Sequence, residues 1–252
     1  MDSLSLALFL IAAFLGGVTT GLSGFAMGLV VSGIWLHLIT PTQNALLVVL
    51  CGMVTQGFGI WRVRHAIKWK AVVPFIFGSA VGVAFGTLLL TTVDQNVVRL
   101  TIGVLLIIFS AYNLARPKIA TPDSNVPVEI GVGLVNGVIG GLTGLGGIAM
   151  TVWSQLRGGN KDTQRAIFQP VMFATFLITA TSFGFAGSYT WETMKLYVFA
   201  LPALIVGVGC GIWLYGKLDD AAFRRVVLVL LFGSGLSLVA PPLLRAAGVL
   251  AK

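Results

Sequence analysis

"GGVTTGLSGFAMG", Gly16 to Gly28, and "NGVIGGLTGLGGIAM", Asn136 to Met150, read almost alike. Each sets a hydroxyl, Ser23 or Thr143, among glycines in the middle of a long apolar run. Glycine is costly inside a helix because it gives up the most backbone freedom. The same break placed twice, 120 residues apart, therefore asks for a reason.

The surroundings of the breaks define the kind of protein. Of 252 residues, 57% are hydrophobic and only 10% charged, with a mean hydropathy of +0.97. A soluble domain carries about 25% charged residues to cover its surface. Apolar runs of membrane-crossing length recur along the chain, which predicts an all-α integral membrane protein. The net charge of +8 does not point to nucleic acid, since Lys and Arg lie in the gaps between apolar runs. There they orient a protein in the bilayer, against membrane lipid. The stretch from Met1 to Val18 carries Asp2 and no basic region, unlike a signal peptide, and is expected to stay as membrane structure. Cys51 and Cys210 lie within apolar runs and read as small buried thiols.

The breaks belong to a larger internal repeat. "GLSGFA" (Gly21 to Ala26) falls on "GLTGLG" (Gly141 to Gly146) at an offset of 120, and "TQNALLV" (Thr42 to Val48) on "TQRAIFQ" (Thr163 to Gln169) at 121. "VGVAFG" ending at Gly86 falls on "VGVGCG" starting at Val206 at 125, and the same register carries Asp94 to Asp219 and Arg99 to Arg224. The expected organisation is a first membrane repeat over 1–115, a linker over 116–128 and a second repeat over 129–252. The apolar pieces are 4–20, 24–39, 43–62, 71–91 and 98–115, then 129–140, 144–157, 164–186, 195–216 and 225–244. Pieces near 15 residues span about 22 Å, short of the roughly 30 Å hydrocarbon core. A pair of them fits a re-entrant hairpin, or two helices meeting part-way through the membrane.

Loop charges test whether the chain reverses at each break. With reversal, 12 of the 16 Lys and Arg residues fall on one side; with continuous spans the split is 7 against 9. The positive-inside rule favours reversal and puts both termini outside the cytoplasm. Each repeat is then a glycine-broken helical hairpin plus three membrane helices, and the two repeats lie in opposite orientation. Inverted repeats with discontinuous helices are a transporter architecture with a midplane binding site.

A helix starting at mid-depth has unpartnered N–H groups and the positive end of its dipole there. Ser23 and Thr143 are good N-cap residues, and two facing helix starts would bind an anion without a lysine. Gly21, Ser23, Gly24, Gly141, Thr143, Gly144, Gly146 and Gly147 are the candidates for that site. The same glycines also fit small-xxx-small packing faces, and both readings stand. In "QRAIFQP", Gln164, Arg165 and Gln169 are further candidates ahead of Pro170, and Gln43 matches Gln164 across the repeat. Arg165 suits either a bidentate anion contact or the lipid headgroups. Trp153 and Gln155 are candidates to line the same cavity. Asp94, Glu129, Asp162, Glu192, Asp219 and Asp220 fall at predicted helix ends, so no carboxylate sits mid-span for proton or sodium coupling. His37 and His65 do not form a metal set, no nucleophile–base pair stands out, and neither enzyme activity nor a cofactor is expected.

The two glycine signatures, with "TVWSQLRGGNKDTQRAIFQP" (Thr151 to Pro170) after the second, resemble the duplicated signature of the sulfite exporter TauE/SafE family. The resemblance spans both halves. It implies a bacterial inner-membrane permease for sulfite, sulfonates such as sulfoacetate, or related small organic anions. The first copy departs from the pattern, with Ala26 and Met27 where the second has Gly146 and Gly147. Export needs no coupling ion, because a negative cytoplasm drives each negative charge outward by about 2.3 kcal/mol per 100 mV. The alternatives are a proton-coupled carrier of a neutral or zwitterionic solute and a non-transporting membrane scaffold or regulator.

Overall fold

The computed structural model describes residues 2–23, 26–115, 124–157 and 161–214, with 228–229, 232–233, 235–236 and 238–240 near the C-terminus. Among these residues there is no strand. The helices are α1 (Ser3–Ser23), α2 (Met27–Trp35), α3 (Pro41–Val63), α4 (Trp69–Thr92) and α5 (Gln95–Ala115), then α6 (Val126–Thr143), α7 (Ile148–Arg157), α8 (Lys161–Phe185) and α9 (Trp191–Leu214). All but α2 and α7 are long and apolar enough to cross a membrane, which makes seven spans among the described residues. The expected piece at 225–244 lies largely outside the described residues.

Local chemistry sets several of the helix ends. Thr40 accepts from the Gln43 backbone N–H while the Gln43 side chain accepts from the Thr40 N–H, a capping box with Pro41 in the first turn of α3. Asn125 caps α6 by accepting from the Val128 N–H, with Pro127 in the first turn. Such caps meet backbone donors that have no partner inside the helix.

The two halves of each broken pair are unequal, which differs from the expectation of two pieces near 15 residues. α1 and α6 run 21 and 18 residues, whereas α2 and α7 have 9 and 10. The last two are about 14 Å long, roughly half the hydrocarbon thickness. α1 continues through Gly16, Gly17 and Gly21, and α6 through Gly137, Gly140 and Gly141, because close neighbours hold these glycines in place.

The chain turns back at both breaks. Gly16 on α1 faces Met27 and Val31 on α2. Further along, the Trp35 indole N–H donates to the Phe9 carbonyl at 3.1 Å, and the two rings stack at 4.6 Å. Progress along α2 therefore runs backwards along α1. In the second pair Gly146 lies against Gly140, and the Trp153 ring reaches Phe75, whose backbone packs on Gly133.

Two glycine seams hold the spans. On α1, a Cβ at Gly17 or Gly21 would collide with the carbonyls of Leu204 and Val208 on α9; one at Gly207 or Gly211 would collide with those of Phe14 and Val18. On α6, a Cβ at Gly137 or Gly141 would collide with the carbonyls of Ser79 and Val83 on α4; one at Gly82 or Gly86 would collide with those of Leu134 and Val138. These contacts correspond one for one at the offsets of 120 and 125. Helices in lipid associate through such close backbone packing, and the Ser79 hydroxyl adds a hydrogen bond to the Gly133 carbonyl at 3.0 Å. α3 and α8 cross antiparallel at the centre, with Gly52 against Phe176 and Gly59 against Gln169. They are the most enclosed spans, 56% and 61% buried.

These seams give a direct test. Gly137→Ala puts a methyl into the Ser79 carbonyl, whereas Gly131→Ala on the same helix meets nothing within 4 Å. Gly137→Ala should cost about 1–3 kcal/mol and Gly131→Ala should be neutral or stabilising, as read by reversible unfolding in mild detergent. Equal stability of the two variants would refute the seam.

Candidate functional site

The two breaks meet. The α1–α2 break passes through Ala26 in the left-handed region at φ 77°, and α6 ends on Gly144 at φ 73°. A Cβ at Gly28 would stand 3.1 Å from the Leu145 side chain, and one at Gly144 would stand 2.7 Å from the Ala45 Cα and carbonyl oxygen. Both breaks thus lie against α3, on either side of the same space.

That space is a cavity with ≈ 40 Å³ open to the centres of water-sized atoms, room for on the order of three waters. Ala26 to Leu29 at the start of α2 form one wall, and Gly144 to Ile148 leading into α7 form another. α3 contributes Val48, Gly52, Thr55 and Gln56, and α8 contributes Phe168, Met172 and Phe176; Thr20 and Thr151 complete the lining. Among the described residues, no lining side chain is charged. Positive potential there comes from the two helix starts, each worth up to about half an elementary charge. The N-cap of α2 is Ala26, with no side-chain hydrogen bond to the helix, so side-chain capping does not occupy its first N–H groups.

The candidate residues separate into groups. Gly144, Gly146 and Gly147 line the cavity. Gly21 and Gly141 lie in the helix seams instead, packed against the backbones of α9 and α4. Thr143 does not cap α7. It ends α6, fully buried, where its hydroxyl donates to the Ile139 carbonyl at 2.6 Å and accepts from the Leu145 N–H at 3.1 Å. The bonds tie the break shut and leave the start of α7 to glycines. Ser23 is the last residue of α1; its side chain, Gly24 and the Gln155 side chain lie outside the described residues. Gln43 is committed to the cap of α3. Gln164 and Arg165 are half-buried in the first turns of α8 and, like Gln169 and Trp153, are not among the lining residues. Trp153 packs on Phe75 instead.

Gln56 has no place among the sequence candidates. It lines the cavity, is 4% exposed, and its Oε1 is buried without a partner. The sequence signal was present: Thr55 and Gln56 interrupt the apolar span Pro41–Trp61, and a search for carboxylates passes over a neutral amide.

Paired interrupted helices that begin at one small neutral cavity, inside a bundle of apolar spans, define a membrane transporter of the discontinuous-helix type. The chain belongs to the sulfite exporter TauE/SafE family, whose model matches residues 9–238. Neither a curated protein nor a solved structure matches it. The protein is thus a multi-pass membrane transporter of sulfite-type anions and not an enzyme.

The walls make unequal demands on their residues. Gly144→Ala brings both a left-handed conformation and contact with the Ala45 backbone, and should destabilise by about 2 kcal/mol or more. Ala26→Gly relieves the only left-handed non-glycine residue described and should leave stability unchanged or raised by up to about 1 kcal/mol. Unfolding midpoints in detergent would read both. A tolerated Gly144→Ala would remove the conformational constraint assigned to the second wall.

Proposed function

We propose that the protein exports sulfite or a related small organic anion, such as the sulfonate sulfoacetate, across a bacterial inner membrane without a coupling ion. The observation that carries this reading is the neutral cavity bounded by the starts of α2 and α7. Backbone N–H groups and helix dipoles favour an anion there, and among the described residues no fixed cation holds it so tightly that release becomes slow.

The proposed frame is two inverted repeats, 1–115 and 129–252 joined by the linker 116–128. The matched seams at offsets of 120 and 125 support it. So does chain direction: α1 runs parallel to α9 and α4 to α6, while α2 returns along α1 and α3 crosses antiparallel to α8. Reversal at each break is the condition under which 12 of 16 basic residues fall on one side. That side is taken as cytoplasmic, with both termini in the periplasm.

Efflux of labelled sulfite from proteoliposomes, at the same pH on both sides and under imposed potassium-diffusion potentials, tests the energetics. For a monovalent anion, 150 mV corresponds to about 3.5 kcal/mol, a several-hundred-fold accumulation ratio. The expected result is flux that rises with a potential negative on the side the anion leaves. Flux that ignores potential and follows only an imposed pH gradient would favour the proton-coupled carrier. No flux of any anion would favour the scaffold.

A further inference from the structure

The cavity has a chemical asymmetry that narrows the substrate class, and the inference rests on the reading of that cavity as the anion site. We propose that the carried species is a protonated monoanion, hydrogensulfite or a similar oxyanion bearing one acidic hydrogen, bound through the Gln56 amide between the starts of α2 and α7.

Charge is the first ground. Among the described residues no Lys, Arg, His, Asp or Glu lines the cavity, and the two helix starts together amount to about one positive charge. They balance a monoanion. A dianion would bring a second charge into an apolar enclosure with nothing to pair it.

Hydrogen-bond inventory is the second and independent ground. Gln56 is 4% exposed and its Oε1 has no partner. A fully ionised oxyanion only accepts hydrogen bonds and leaves that oxygen unmet. Turning the amide by half a turn exchanges its ends, but one end remains an acceptor. A protonated oxyanion offers both halves of the match once the Gln56 side chain, which lines the cavity with its Oε1 covered, turns its amide toward the ligand: the anion's O–H donates to the amide carbonyl, and a second oxygen accepts from the amide N–H. Thr55 does not supply the missing donor, since its hydroxyl is given to the Gly52 carbonyl at 3.0 Å. The available volume suits a species of a few heavy atoms and disfavours longer sulfonates.

pH is a clean probe because no described lining group titrates. Among the described side chains, the chargeable groups on the neighbouring elements are Asp2 just before α1, His37 after α2, Cys51 on α3, Arg64 and His65 of the turn after α3, Lys68 and Lys70 at the start of α4, Asp94, Arg99 and Tyr112 at and on α5, Glu129 of α6, Arg157 of α7, Arg165 of α8, Tyr189 between α8 and α9, and Glu192, Lys195, Tyr197 and Cys210 of α9. None of them lines the cavity.

The full chain in lipid nanodiscs should be titrated calorimetrically with sulfite at pH values spanning the second ionisation of sulfurous acid. The Kd for total sulfite should rise about tenfold per pH unit on the alkaline side and stay flat when expressed per hydrogensulfite. Methanesulfonate, a monoanion without an acidic hydrogen, should bind about tenfold or more weakly, with no pH dependence. Gln56→Met, similar in size and apolar, should lose most of the preference for sulfite over methanesulfonate. Affinity for total sulfite that is flat or rises toward alkaline pH would overturn the inference and leave the anion site standing. So would unchanged discrimination in Gln56→Met, which would mean that a water satisfies the amide. The wild-type pH series decides even if the variant fails to fold. Absence of sulfite binding at every pH would overturn the reading beneath it as well.

Discussion

A helix that begins inside an apolar enclosure carries N–H groups that only protein, water or a ligand can satisfy. At 9 and 10 residues, α2 and α7 are too short to reach from one face of a membrane to the other. Each therefore has an end in the interior, and the remaining elements make that tolerable. Full-length α1 and α6 stand beside their short partners, and α3 and α8 close the enclosure between them. The Trp35 indole pinned to the Phe9 carbonyl fixes α2 along α1, so the position of its free start is set by packing at its far end.

The glycine seams serve the same constraint. Contact between glycine faces brings backbone against backbone, with no side chain whose rotamer could let the helices drift. Gly17 and Gly21 lock α1 to α9, and Gly137 and Gly141 lock α6 to α4. Each seam ends just before a break: Gly21 precedes Ala26 by five residues and Gly141 precedes Gly144 by three. The most rigid contacts thus lead directly into the least regular backbone. Left-handed residues at both turns then send the short helices back along their partners. Packing against a neighbouring helix and lining of the cavity fall to successive glycines of the same motif.

This division explains what was legible beforehand. The spans, the reversals and the correspondence between halves follow from hydropathy, loop charge and repeated motifs, all of which are written in residue type. Which glycine faces a neighbouring helix and which faces the cavity depends on where α6 stops: Gly141 is still inside the helix, whereas Gly144 is its left-handed C-cap. Thr143 looks like a cap by type, yet it bonds backward to Ile139 because α6 continues further than hydropathy alone implies. Gln56 was missed for a different reason. At an offset of 121 it corresponds to Leu177, so a search guided by symmetry passes over it. The N-terminal half supplies the amide, and the C-terminal half supplies Gly146 and Gly147 where the N-terminal half has Ala26 and Met27. The two walls share a backbone plan and differ in the chemistry they present.

That difference bears on how transport is driven. A carrier restricted to a protonated monoanion moves one charge per cycle, so the membrane potential contributes about 2.3 kcal/mol per 100 mV instead of about twice that for a dianion. An alkaline cytoplasm lowers the protonated fraction of sulfite and hence the concentration of the carried form. Such a carrier's flux responds to pH without any protein group having to bind or release a proton, and among the described residues no carboxylate lines the cavity. Sensitivity to a pH gradient is therefore not by itself the mark of proton coupling in this protein. What separates the mechanisms is the dependence of flux on the hydrogensulfite concentration at fixed potential. A carrier with its selectivity in the Gln56 amide follows that concentration alone, whereas a coupled carrier responds to the proton gradient after the correction is made.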